Sequence, residues 1–153
     1  MTRIYLIRHG KAGDRAAWEG PDDLRPLTRG GVRQAEAIAA SLGEPGVERV
    51  VSSAYVRCRQ TVEPLALRLR LPVDLSDALA EGAPLHDTLA LLDKVSMTSA
   101  ALCSHGDVIG NVLHHLAARG VPVGDDLRME KGSVWVLRAR RGEIVDARYR
   151  PAP

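Results

Sequence analysis

Phenylalanine is absent, and tyrosine and tryptophan bring the aromatic content to only 3% of the 153 residues. A core must therefore be built from Leu, Val, Ile and Ala. No window nears the ~20 consecutive apolar residues that a membrane-spanning helix needs. The apolar run at residues 4–7 is cut by Arg8 and His9, so it does not read as a secretory signal. Cysteine is scarce as well. Cys58 and Cys103 lie far apart with no C-x-x-C spacing, which suggests two reduced thiols in a cytoplasmic protein. The net charge is only +2, from 21 basic and 19 acidic residues, too little to point to nucleic acid as a partner. Lysine is rare too: Lys11, Lys94 and Lys131 leave 18 of the basic residues as arginine. Guanidinium forks grip planar oxyanions as ammonium does not, although GC-rich coding produces the same bias.

What is present is the balance of a soluble globular protein, 45% hydrophobic and 26% charged. The length suits a single domain over residues 1–153, able to bury roughly 68–70% of its unfolded surface. Residues 3–8 (RIYLIR) read as a buried strand. A polar loop follows to about Leu27, where Trp18 reads as a packing aromatic. Thr28 looks like an N-cap; Val32, Ala35, Ile38, Ala39 and Leu42 recur at helical spacing, and Gly43 sits at the C-terminal position. Strands are expected at 47–52, 72–75 and 99–103, with helices at 55–70, 86–95 and 107–119; Pro64 conflicts with the first of these helices. Two late strands, 133–138 and 143–148, join through a turn at Arg141-Gly142. The alternation implies an α/β fold: a three-layer α/β/α sandwich with a mostly parallel central sheet. Ligands of such sheets bind at the carboxyl ends of the strands.

Those ends carry chemistry. The first strand runs into Arg8-His9-Gly10, the second into Ser52-Ser53 and a helix bearing Arg57, and a third into Ser104-His105-Gly106. Two imidazoles and two guanidiniums thus converge on one sheet edge. Phosphoryl transfer requires mainly positioning and charge stabilisation, which arginine forks supply. A neutral imidazole is a competent nucleophile, and nearby arginines favour its neutral form. Glycine after each histidine removes a Cβ and permits close approach of a ligand. His114 and His115 point about 100° apart on a helix and cannot easily share an ion, so neither a metal nor a cofactor is expected.

Four stretches in order resemble the histidine phosphatase superfamily, the phosphoglycerate-mutase-like fold: Arg8-His9-Gly10; Arg25-Pro26-Leu27-Thr28 with Gln34-Ala35; Ser52-Ser53 through Arg57 to Gln60-Thr61; and Ser104-His105-Gly106. The chain looks most like the short phosphohistidine phosphatase branch, and two stretches also resemble the phosphatase half of some two-domain Nudix hydrolases. The resemblance implies that His9 is the phosphorylated nucleophile and that Arg8, Arg57 and His105 form the phosphate pocket. Arg25 would also face phosphate, or serve as a structural tie before Pro26. Gly10 and Gly106 would border the substrate.

Glu81 departs from the short branch and matches the acid by which larger members protonate a leaving oxygen. An alkoxide leaves poorly and needs a general acid, whereas a protonatable imidazole needs little help. Glu81 is either that acid or a loop carboxylate paired with an arginine, and Asp107 is expected to cap the helix after His105. The implied activity is a metal-independent phosphatase acting on phosphohistidine in a protein. The alternative is a small phosphorylated metabolite, ester or nucleotide; a non-catalytic phosphate-binding module is the third reading. Neither nucleic acid nor a membrane is an expected partner. The arginines at 138, 140, 141, 148 and 150 read as a solvated sheet edge.

Overall fold

A computed structural model describes residues 1–43 and 46–153. The chain alternates strands and helices: β1 (Thr2–Arg8), α1 (Arg29–Leu42), β2 (Arg49–Ser52), α2 (Val56–Leu69), β3 (Val73–Leu75), α3 (Leu85–Val95), β4 (Ala100–Ser104), α4 (Gly106–Ala118), β5 (Val134–Arg140) and β6 (Glu143–Arg150). The sheet order is β3-β2-β4-β1-β5-β6. The first four of these strands are mutually parallel, and β5 and β6 add an antiparallel ribbon at one edge. This is the α/β sandwich anticipated from the sequence.

Side-chain alternation along the strands divides the interior into two layers. Ile4, Leu6, Leu102, Trp135 and Leu137 face α3 and α4, while Ile7, Val50, Ala101, Cys103 and Val136 face α1 and α2. Burial on both faces explains why β1 and β4 read as nearly unbroken apolar runs. With no phenylalanine, the first layer takes its aromatics from Trp135, 2% exposed, and the partly buried Tyr149 packed 5.3 Å from it.

Local rules account for most element ends. The Thr28 hydroxyl accepts the Gly31 N–H at 3.1 Å, the cap anticipated for α1. Arg141 and Gly142 both take positive φ (53° and 81°), as a primed two-residue hairpin turn demands. Gly43 closes α1 as expected, at an ordinary φ of −75°; its missing Cβ matters because Arg68 Cδ and the Ala39 carbonyl would lie 2.4 and 2.5 Å away. Two local expectations are corrected. Val32 is exposed, off the buried face of α1. Pro64 does not interrupt α2, because burial of Cys58, Thr61, Val62, Leu65 and Ala66 holds the helix together through the missing hydrogen bond. Among the described residues, no helix is long and apolar enough to cross a membrane.

The parallel register pairs Arg8 with Ser104 and Ser52 with Cys103, so the carboxyl ends of β1, β2 and β4 stop level with one another. This levelling brings residues almost a hundred positions apart into one site.

Candidate active site

His9 leaves β1 with its backbone N–H donated to the Ser104 carbonyl at 3.1 Å. Its Nδ1 lies 2.8 Å from the Gly10 carbonyl oxygen. A carbonyl only accepts, so Nδ1 carries the proton and Nε2 of the neutral ring keeps its lone pair. The ring is only 5% exposed. Burial, together with His105, Arg57 and Arg8, lowers its pKa from 6.5 to about 3, against the opposing pull of the Gly10 hydrogen bond. The imidazole is therefore uncharged at neutral pH.

His105 packs against His9 edge-on, with ring centroids 5.5 Å apart. The Tyr55 N–H donates to Ser53 Oγ at 3.3 Å, and the same Oγ lies 3.0 Å from His105 Nε2. His105 Nδ1 is buried without a partner. Cys58 Sγ also approaches His105 Nε2, at 3.6 Å, and the Cys58 and Cys103 thiols hydrogen-bond to each other. Distance in sequence concealed this pairing; β4 and the first turn of α2 create it. Burial pushes the Cys58 thiol up, but its hydrogen bonds from Cys103 and His105 outweigh that and hold it below its usual value.

The arginines are engaged differently. Arg8 donates from Nη1 to the Met129 carbonyl at 2.5 Å, while its Nε has no partner. Burial lowers its proton affinity. Arg57 is fully buried. Its two terminal nitrogens donate to the Asp22 carbonyl (2.7 Å) and to Asp22 Oδ2 (3.0 Å), and Nε is again unpartnered. Tyr55 lies beneath its guanidinium, 4.9 Å away. Arg25 is the tie that the sequence offered as one of two readings. Nε donates to Asp22 Oδ1 at 3.0 Å and Nη1 to the Gly13 carbonyl, although the residue still borders the cavity. Asp22 therefore holds both buried arginines. Burial would raise its carboxyl, yet the hydrogen bonds from Arg25 and Arg57 keep it below the usual carboxylate range. Sequence reasoning missed Asp22; its i,i+3 spacing to Arg25 was the available signal.

The glycines make room for the protein itself. A Cβ at Gly10 would meet Gln34 Oε1 and the Gly31 carbonyl at 3.1 Å, and one at Gly106 would meet the Arg8 guanidinium at 3.1 Å. Gly10 thus lets α1 close onto the loop, and Gly106 lets Arg8 lie across the start of α4.

Arg8, His9, Gly106, His105, Arg25 and Glu81 line one cavity of about 470 Å³, together with Arg15, Asp107 and Lys131. Arg57 is not in its wall: it sits behind Asp22 and Glu81. Glu81 pairs with Arg15 at 3.0 Å and lies 3.8 Å from Arg57. It therefore meets both descriptions offered by the sequence, a paired carboxylate and a cavity carboxylate. Asp107 does not cap α4 through its side chain; its carboxylate accepts the Gly82 N–H at 2.8 Å. Gly82, at φ +79°, makes the turn that this contact pins, which sets Glu81 at the rim. Trp18 is 37% exposed and donates Nε1–H to the Pro21 carbonyl, bracing the loop. Far from the cavity, Arg138 pairs with Asp146 across the β5–β6 ribbon. Among the described residues, no group of three or more His, Cys, Asp and Glu side chains is placed to hold a metal ion.

A sequence model of the histidine phosphatase superfamily, branch 1, matches residues 4–84. The chain belongs to the histidine phosphatase superfamily. The match covers His9, Arg57 and Glu81, and β4 adds His105 beyond its end. Among curated superfamily relatives, an 8-oxo-(d)GTP phosphatase of Mycolicibacterium smegmatis is 33% identical over 155 residues, covering 98% of this chain and 48% of that protein. The chain thus spans about half the length of that relative. The phosphohistidine phosphatase SixA of Escherichia coli is 29% identical over 128 residues, 78% of this chain and 77% of SixA. A solved structure of the protein histidine phosphatase SixA with tungstate shares the fold, with a TM-score of 0.75, 22% identity, and coverage of 98% of this chain and 95% of that one.

Proposed function

We propose that this chain is a phosphatase that passes the phosphoryl group through His9. One observation carries the reading: a neutral imidazole with a free Nε2 shares its cavity with two buried nitrogens that lack partners, Arg8 Nε and His105 Nδ1. Unmatched buried polar atoms are costly, and a native protein keeps them for a reason. A phosphoryl group brings the acceptor oxygens they lack.

In the first step, the His9 Nε2 lone pair forms an N–P bond while the bond from phosphorus to the leaving oxygen breaks. Arg8, His105 and Arg57 balance the charge on the phosphoryl oxygens. Glu81, in its acid form, gives its proton to the leaving oxygen. Water then attacks phosphorus, the N–P bond breaks, and the Glu81 carboxylate takes the water proton. Phosphate departs and His9 returns to its neutral form. The cationic side chains supply the neutralisation that a divalent metal supplies elsewhere, so the cycle runs without one.

The position of Glu81 on the cavity wall supports a small phosphate ester or nucleotide, whose leaving oxygen can take its proton, and the 33% identity to an 8-oxo-(d)GTP phosphatase supports the nucleotide. Phosphohistidine in a protein is the second reading, supported by the 29% identity to SixA.

The decisive experiment traps the intermediate. Brief reaction with a ³²P-labelled phosphate ester, followed by alkaline quenching and peptide mapping, is expected to place acid-labile label on His9. His9→Ala is expected to abolish both labelling and turnover. Label on another residue, or turnover that survives in His9→Ala, overturns the reading.

A further inference from the structure

Lys131 lines the same cavity and, like Arg8 but unlike the other cations there, has no acidic partner among the described residues. Arg15 is paired with Glu81 and Asp22, Arg25 with Asp22, and Arg57, behind the wall, with Asp22. The Lys131 ammonium pairs with no acid among the described residues. Partial burial and the charges of Arg8, Arg25, Arg15 and Arg57 lower its proton affinity, so the cation is held where like charges repel it.

Its location is not that of a free surface lysine. The Lys131 carbonyl accepts Gln34 Nε2–H at 3.0 Å. The next residue, Gly132, donates its N–H to both the Arg8 and His9 carbonyls, at 3.1 and 3.0 Å. Gly132 has φ +86°, and a Cβ there would lie 2.8 Å from the Gln34 amide, so the approach needs glycine. Two residues earlier the Met129 carbonyl holds Arg8 Nη1. The segment from Met129 to Gly132 is thus bolted to the strand end that carries the nucleophile, and it delivers an unneutralised ammonium to the cavity. At about 470 Å³, this cavity has the size of a site for a whole small molecule rather than for one phosphoryl group.

We propose that Lys131 is a specificity-determining residue that takes a second anionic group of the substrate, next to the phosphoryl group that His9 attacks, so that the site prefers phosphoanhydrides of the nucleoside diphosphate class to monophosphates. This inference rests on the phosphatase reading of the same cavity and narrows its substrate. A flexible point charge suits a terminal or bridging phosphate oxygen whose position varies from substrate to substrate.

The test uses binding rather than turnover. Calorimetry compares methylenediphosphonate, whose P–C–P bridge His9 cannot cleave, with methylphosphonate on the wild-type chain, Lys131→Ala and Lys131→Arg. The wild type is expected to prefer the diphosphonate. Lys131→Ala is expected to reduce that preference about tenfold or more, the loss of one charge-assisted hydrogen bond, and Lys131→Arg to keep most of it. A wild type without the preference, or a preference unchanged in Lys131→Ala, overturns the assignment. Hydrolysis of p-nitrophenyl phosphate by the wild type, read separately, tests the phosphatase reading; a chain inactive there can still show the Lys131-dependent preference, so the two failures are distinct.

Discussion

Lowering the pH from 7 to 5 protonates position 9 in the unfolded chain but not in the folded one. The folded imidazole has a pKa of about 3, set first by burial and then by His105, Arg57 and Arg8. The unfolded imidazole titrates near 6.5. The unfolded state therefore binds more protons between these values, and stability falls as pH falls through that window. The contribution is fully present above pH 6.5. With these two values, linkage gives a loss of about 2 kcal/mol at pH 5 relative to pH 7, at about 1.4 kcal/mol per pH unit once below the unfolded pKa. Urea unfolding at the two pH values, for the wild type and His9→Gln, isolates this term, because other titrating groups are common to both chains. The wild type is expected to lose about 2 kcal/mol more than the variant. The same neutrality has a catalytic consequence: activity from pH 7 down to pH 5 should show no acid limb near 6.5 from the nucleophile. Imidazole NMR signals give the direct reading. A His9 resonance titrating between pH 6 and 7, with equal stability losses in the two chains, would refute the account of a desolvated, cation-flanked nucleophile.

Three other outcomes are expected. Glu81→Gln should lower turnover of an alkyl phosphate by about 100-fold or more, and that of a phosphoramidate far less, because only the alkoxide needs a proton donor; equal losses in steady-state assays would remove Glu81 from the chemistry. Asp22→Ala should cost about 1–3 kcal/mol in urea unfolding, since the buried Arg25 and Arg57 lose their shared acceptor; an unchanged midpoint would mean that the two guanidiniums repair themselves. Gly31→Ala should destabilise by about 1–3 kcal/mol, because the new Cβ falls 2.1 Å from the Lys11 carbonyl and the loop must move; thermal denaturation with an unshifted midpoint would contradict it.

Much of the fold was legible because its signals are local. The unbroken apolar runs of β1 and β4 announce strands buried on both faces, Thr28 announces α1, and Arg141-Gly142 announces the last hairpin. The misreadings arose where packing outweighed propensity. Pro64 stays helical inside a well-buried helix, and the Asp107 carboxylate reaches across to Gly82 instead of capping its own helix. In the site, the residues next to strand ends could be found by rule, whereas their counterions could not. Nothing in the order of residues says that Asp22 grips an arginine 35 positions later.

The kinds of chemistry and the edge of the sheet that carries them are properties of the sequence, since strand periodicity and the residues that follow each strand are written in it. The charge state and tautomer of the nucleophile, the meeting of Cys58 with Cys103 and the placement of an unpaired lysine over the cavity belong to the tertiary structure alone. They depend on desolvation and on distances between distant segments, which arise only when parallel strands align and bury what lies between them.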